Sequence, residues 1–176
     1  MDDLRVTIDR EVFTDDPYPE LPRVDRRDLE LGRFIHKFAQ LELTVAIVTW
    51  AAIGVSPEAG PTVPLPLGLG RTLDFLKGIA AVRFDADLAD RLVGWADRVG
   101  RLAKRRNVLA HSPWLSGDDT EDEGELRQIS ITKPPKDRIS ATSLTELRGL
   151  CREALALSVE GGSELWFRLL DAQGYG

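Results

Sequence analysis

A chain of 176 residues, 43% of them hydrophobic, is long enough to bury one sizeable core and too short for two. Its formal net charge of -6 argues against a protein that coats nucleic acid or an anionic membrane non-specifically, while leaving room for a local basic site. Cys151 is the single cysteine, so no internal disulfide forms. One Cys and two His are too few soft ligands for a structural zinc site, and neither metal nor cofactor is expected. The opening stretch has no basic segment followed by an apolar run, so no secretory leader is expected. The most apolar run, Leu43 to Val55, is too short to span a bilayer. These features read as a reduced cytoplasmic domain without membrane contact.

Residues 1–24, rich in acids and broken by prolines, read as an N-terminal arm; residues 25–176 read as one helical domain. The first helix is expected to start between Asp25 and Asp28, either of which suits a cap, and to run to about Ile53. Phe34, Phe38, Leu41, Val45, Val48 and Ala52 alternate four and three apart, the seam of a bundle helix. Ile35, Ala39, Leu43, Ala46, Ile47 and Trp50 add apolar surface on its other sides, which places the helix at the centre of the fold or in an oligomer interface. Gly54 to Gly70 holds four prolines and four glycines and reads as an ordered loop pinned by Val63, Leu65 and Leu67. A shorter helix follows, about 71–81. Asp85 or Asp87 starts a third, which runs to about His111.

Downstream, the acidic run "SGDDTEDEGE" reads as a solvated loop, and "LRQISIT" with "PPKDRISAT" as a small β-hairpin. Ser143 with Glu146 makes a capping box for the last helix, which Gly161-Gly162 is expected to interrupt before "SELWFRLL". The expected architecture is all-α, a four- to five-helix bundle with a small β-hairpin between the third long helix and the C-terminal helix.

The third helix carries an anomaly. Leu88, Leu92, Trp95, Val99 and Leu102 form its seam, and the next seam position is Arg106, followed by Leu109. A guanidinium in a leucine's place requires an anionic neighbour: a carboxylate, another chain or a substrate phosphate. Arg98, Arg101 and Arg105 read as an exposed basic stripe beside the seam. Asn107 and His111 are four apart and share a face. Arg106 and His111 are separated by about 140° and about 7.5 Å of rise on an ideal helix, which points to a helix-end or two-chain site.

"RNVLAH", Arg106 to His111, resembles the arginine–polar–three residues–histidine motif of HEPN domains (higher eukaryotes and prokaryotes nucleotide-binding). The resemblance implies an all-α bundle, a homodimer, and metal-independent RNA cleavage at a composite cleft between two chains, of toxin–antitoxin or defence type. It implies that His111 is the acid/base residue, that Arg106 binds the phosphate and stabilises its developing charge, and that Asn107 orients one or the other. It also implies a possible antitoxin of nucleotidyltransferase-like type. The alternative is a non-catalytic helical module that binds a nucleotide or a partner protein, as some members of that family are.

Glu42 is the only acid between Glu30 and Glu58 and lies beside the seam of the first helix. It reads either as a carboxylate that supports Arg106 or as a rim residue reaching solvent. Lys104 and Arg105 read as surface charges with a share in substrate phosphate binding. His36 reads as solvated and Cys151 as core. A third reading, a purely structural bundle, has Arg106 paired with Glu42 and nothing else.

Overall fold

The computed structural model describes residues 20–56, 58–65, 68–111, 114–115, 126–129 and 139–174. Helix α1, Arg23–Ala52, is the spine of the molecule. Its seam residues Phe34, Phe38, Leu41, Val45, Val48 and Ala52 are all fully buried, as their spacing requires. The start of α1 differs from expectation. Pro22 occupies the cap position and no side chain caps the helix; Asp25 falls in the first turn, where a carboxylate suits the positive end of the helix dipole. The second apolar stripe is only partly used: Ile35 packs against the core, whereas Leu43 is exposed.

After α1 the chain turns through Gly54, whose φ of 82° favours glycine, into a short 3-10 turn at Gly60–Thr62. Trp50 holds this loop by donating its indole N–H to the Val63 carbonyl, 3.1 Å away, while Gly60 packs on its ring. Helix α2 covers Leu69–Arg83 and helix α3 covers Ala86–His111. Asp85 caps α3 by accepting from the Leu88 N–H at 2.9 Å.

Three short strands follow, β1 (Trp114–Leu115), β2 (Leu126–Ile129) and β3 (Ile139–Thr142), antiparallel in that spatial order. Leu126 stands opposite Thr142 and Ile129 opposite Ile139. The described residues hold strand pairing alone at this place: the turn that would make it a hairpin, 130–138, lies outside them. So do the acidic run 116–125, Leu67, and residues 1–19 of the expected arm.

Helix α4, Leu144–Val159, starts at Ser143, whose hydroxyl accepts from the Glu146 N–H. The Gly161-Gly162 pair does not break it. The helix widens into a π turn over Glu160–Leu165 and continues as α5, Trp166–Ala172. The physical reason is close approach. Trp95 of α3 is fully buried, donates to the Leu157 carbonyl at 2.9 Å, and lies directly against Gly161.

Ion pairs set the directions of the helices. Asp87 pairs with Arg168, Arg91 with Glu164, Arg98 with Glu160 and Arg105 with Glu146, so α3 runs antiparallel to α4 and α5. Glu30 of α1 meets Arg148 of α4 at 2.9 Å, and Gln173 donates to the Ala51 carbonyl, so those two helices run parallel. Lys77 of α2 bonds Asp97 of α3 at 3.1 Å and Leu73 lies beside Gly100, so α2 runs antiparallel to α3; Arg83 reaches the Ala52 carbonyl at 3.0 Å, which sets the end of α2 against the end of α1. The first half of α1 lies beyond the reach of α2. The described residues therefore form an all-α bundle with a strand appendage, and none of their helices is long and apolar enough to cross a membrane.

Two outcomes test this packing. At Gly161 an added Cβ would lie 2.5 Å from the Trp95 ring and 2.8 Å from the Thr44 methyl, whereas at Gly149 it would meet nothing within 4 Å. In urea unfolding, Gly161→Ala is expected to cost about 1–3 kcal/mol, and Gly149→Ala to gain up to about 1 kcal/mol from helix propensity. Equal effects at the two positions would contradict the close approach. Burial pushes the Cys151 thiol up, with the Glu30 carboxylate adding to the effect, so the reactive thiolate is scarce at neutral pH. A thiol reagent is expected to modify Cys151 only on unfolding; rapid labelling of the folded protein would contradict this.

Candidate functional site

The site is built on the last three turns of α3, where its seam meets α1. Leu102 and Leu109 are buried on either side of Arg106, but Arg106 itself keeps 25% of its side chain exposed. Its guanidinium is therefore held at the edge of the core. Glu42 of α1 accepts a hydrogen bond from Nη2 at 2.6 Å, and the guanidinium carbon sits 4.8 Å above the ring of Phe38. The anionic neighbour that the periodicity demands is thus a carboxylate of the same chain. Phe38 is a core residue whose edge also meets Phe34 at 6.1 Å between centroids, so the cation rests on a rigid platform.

Beside Arg106 opens a cleft of about 720 Å³ between α1, α2 and α3, into whose lining Asn107 and Glu42 also enter. It exists because one face of α3 is small. Ala96, Gly100 and Ala103 follow the four-three spacing toward Asn107, letting α2 approach at Leu73 while leaving space above it. The start of α2, Gly68 to Gly70, closes one wall. At the far end Lys77 lies between Asp97 and Asp74, at 3.1 and 3.3 Å, and the hydrogen bonds it donates to these carboxylates, Asp97 first, raise its pKa.

The basic residues of α3 divide into two kinds. Arg91, Arg98 and Arg105 are taken by carboxylates of α4 or the π turn, and Arg105 also donates to the Thr142 hydroxyl at 3.3 Å. The expected exposed stripe of Arg98, Arg101 and Arg105 is accordingly two interhelical ties and one open cation. Lys104 and Arg101 line the cleft, and neither has an ion-pair partner among the described residues. Lys104 is thus placed beside Arg106, whereas Arg105 faces α4.

His111 is the last residue of α3, exposed, with no hydrogen-bond or ion-pair partner among the described residues. Its position suits the negative end of the helix dipole. It does not line the cleft. The structure therefore gathers Arg106, Asn107, Glu42 and Lys104, and leaves His111 one turn beyond Asn107.

Sequence reasoning missed the part of α2 in this site, and it read Arg101 as ordinary surface. The small-residue spacing of Ala96, Gly100 and Ala103 beside a leucine seam was the available signal. It also missed the buried pair of Glu30 and Arg148, which ties α1 to α4 below the site and to which Arg33 adds a contact at 3.6 Å. No known protein family, curated protein or solved structure matches the chain.

Because Glu42 and Arg106 are both partly exposed, their pair contributes little to stability. Arg106→Ala and Glu42→Ala are each expected to cost about 1 kcal/mol or less, with a coupling of about 0.5–1 kcal/mol in the double-mutant cycle. Unfolding of either single variant at room temperature would contradict this placement at the edge of the core.

Proposed function

We propose that the chain is a HEPN-like endoribonuclease that cleaves RNA without a metal, through Arg106, Asn107 and His111, at a composite site formed by two copies. The observation that carries the reading is Arg106. Its guanidinium is steadied by Glu42 and Phe38 yet still open on one side, next to Asn107 and five residues before a histidine that has no partner among the described residues. The "RNVLAH" resemblance gives these residues their roles.

In this reading His111 removes the proton of a 2′-hydroxyl. The 2′-oxygen then attacks the adjacent phosphorus and the bond to the 5′-oxygen breaks. A proton returns to that leaving oxygen, giving a 2′,3′-cyclic phosphate and a 5′-hydroxyl end. Arg106 stabilises the charge that develops on the phosphoryl oxygens. Asn107 orients the phosphate. Arg106 and His111 project about 140° apart on one helix, which supports the need for a second copy to complete the site. A homodimer, a cytoplasmic setting, a nucleotidyltransferase-like antitoxin that restrains the activity, and closure of β2 and β3 into a hairpin belong to the same reading.

One observation favours a second reading. The cleft takes in Arg106 and Asn107 but not His111, as a non-catalytic nucleotide-binding module would have it. RNA cleavage separates the two. The purified protein is expected to cut single-stranded RNA equally well with and without a chelator. Arg106→Ala and His111→Ala are expected to lower the rate by about 10²-fold or more, with folded state and dimer unchanged. Cleavage that survives both substitutions, or that a chelator abolishes, would sink the ribonuclease reading.

A further inference from the structure

We infer that the cleft between α2 and α3 is a phosphate-binding subsite for a nucleotide unit, with Arg101 and Lys104 as its cations. Where that unit is part of an RNA strand, the inference rests on the ribonuclease reading above; where it is a free nucleotide, it stands without it.

The argument begins with charge. Six basic side chains project from α3, and four of them, Arg91, Arg98, Arg105 and Arg106, have a carboxylate within reach. The two without one among the described residues, Arg101 and Lys104, are both in the wall of the cleft. Lys104 is exposed and Arg101 is exposed, so their charges are hydrated and available rather than spent on the fold. In a protein with a net charge of -6, two cations one turn apart on the rim of a concavity, neither ion-paired among the described residues, form a local anion site. The neighbouring Arg106 retains open donors beside them.

The lining is mixed in charge. Two carboxylates, Asp74 and Asp97, surround one ammonium, Lys77, which leaves acceptors one turn from Arg101. Leu69, Leu73, Ala96 and Ala103 add apolar wall. A ligand that suits this lining carries an anionic group, a flat apolar body and hydrogen-bond donors. A nucleotide has these parts: phosphate, base, and ribose hydroxyls or an exocyclic amine. The volume of about 720 Å³ falls within the range of small-molecule sites. Arg101, Lys104 and Arg106 succeed one another along α3 toward His111, so an RNA cut at a site that includes His111 would lay a neighbouring phosphate in the cleft.

The test is binding of a fluorescein-labelled short RNA with 2′-O-methyl riboses, which has no hydroxyl to be cleaved, measured by anisotropy on the full chain. ATP and inorganic phosphate serve as competitors. Arg101→Gln with Lys104→Gln is expected to weaken binding about tenfold or more and to lower the salt slope by about 1.4, two contacts at about 0.7 each. Ala103→Trp, which fills the cleft and keeps every charge, is expected to block binding as well. Arg152→Gln, on the exposed side of α4, is expected to leave it unchanged.

Displacement of the RNA by ATP assigns the subsite to a free nucleotide; binding of RNA that ATP fails to displace assigns it to a strand. Affinity within twofold of the parent in the Arg101/Lys104 variant overturns the inference, and so does failure of the parent to bind either probe. Should Ala103→Trp not fold, the double Gln variant decides alone. A parent that binds but never cleaves removes the ribonuclease reading and leaves the cleft. Cleavage with an unchanged KM in the double variant removes the cleft and leaves the ribonuclease.

Discussion

The fold turns on the contact between Trp95 and Gly161. An indole that is fully buried and hydrogen-bonded to the Leu157 carbonyl occupies the space where any other residue at 161 would place a Cβ. α3 therefore comes closest to the π turn at this position, and the helix accommodates it by widening rather than ending. Once Trp95 is seated, the register of the whole interface follows. Carboxylates of α4 and the π turn meet Arg98 and Arg105, each two turns from the next, and the lower end of α3 is directed against α1. That lower end is where the candidate site lies.

The same register decides which arginines are structural. Individually these ion pairs are worth little, since each is partly solvated and screened by salt. Their importance is that they commit side chains. Arg98 and Arg105 cannot hold an interhelical carboxylate and a ligand phosphate in one geometry. Arg106 is an intermediate case, because Glu42 takes one edge of its guanidinium and Phe38 one face, leaving the remaining donors open. A guanidinium has enough donors to satisfy a carboxylate and still meet a phosphate, which a lysine in the same place would not manage with the same rigidity.

The position of His111 follows from elementary helix geometry. Five residues after Arg106, it projects from a different side of α3, at the very end of the helix and away from the cleft. A single copy thus offers phosphate-binding groups on one side and an imidazole on another. Bringing both to one phosphodiester requires either a strand that passes around the helix end or a second copy. The cleft and the histidine are consequently two separable features of the same helix.

Much of this was legible in the chain itself. The seams of α1 and α3, the caps at Asp85 and Ser143, the loop between α1 and α2, and the anomaly of Arg106 all follow from periodicity and local chemistry, because each depends on residues within a few turns of one another. The requirement for an anionic neighbour at Arg106 was likewise readable, and Glu42, beside the seam of α1, was the only acid between Glu30 and Glu58. Three things were decided only by tertiary structure. Pro22 displaced Asp25 and Asp28 as the start of α1. The Gly161-Gly162 pair became a close-packing site rather than a break, since a glycine's role depends on what stands opposite it. The stripe of Arg98, Arg101 and Arg105 divided into ties and an open cation, because identical side chains one turn apart on one helix face different neighbours once α2 and α4 pack on either side.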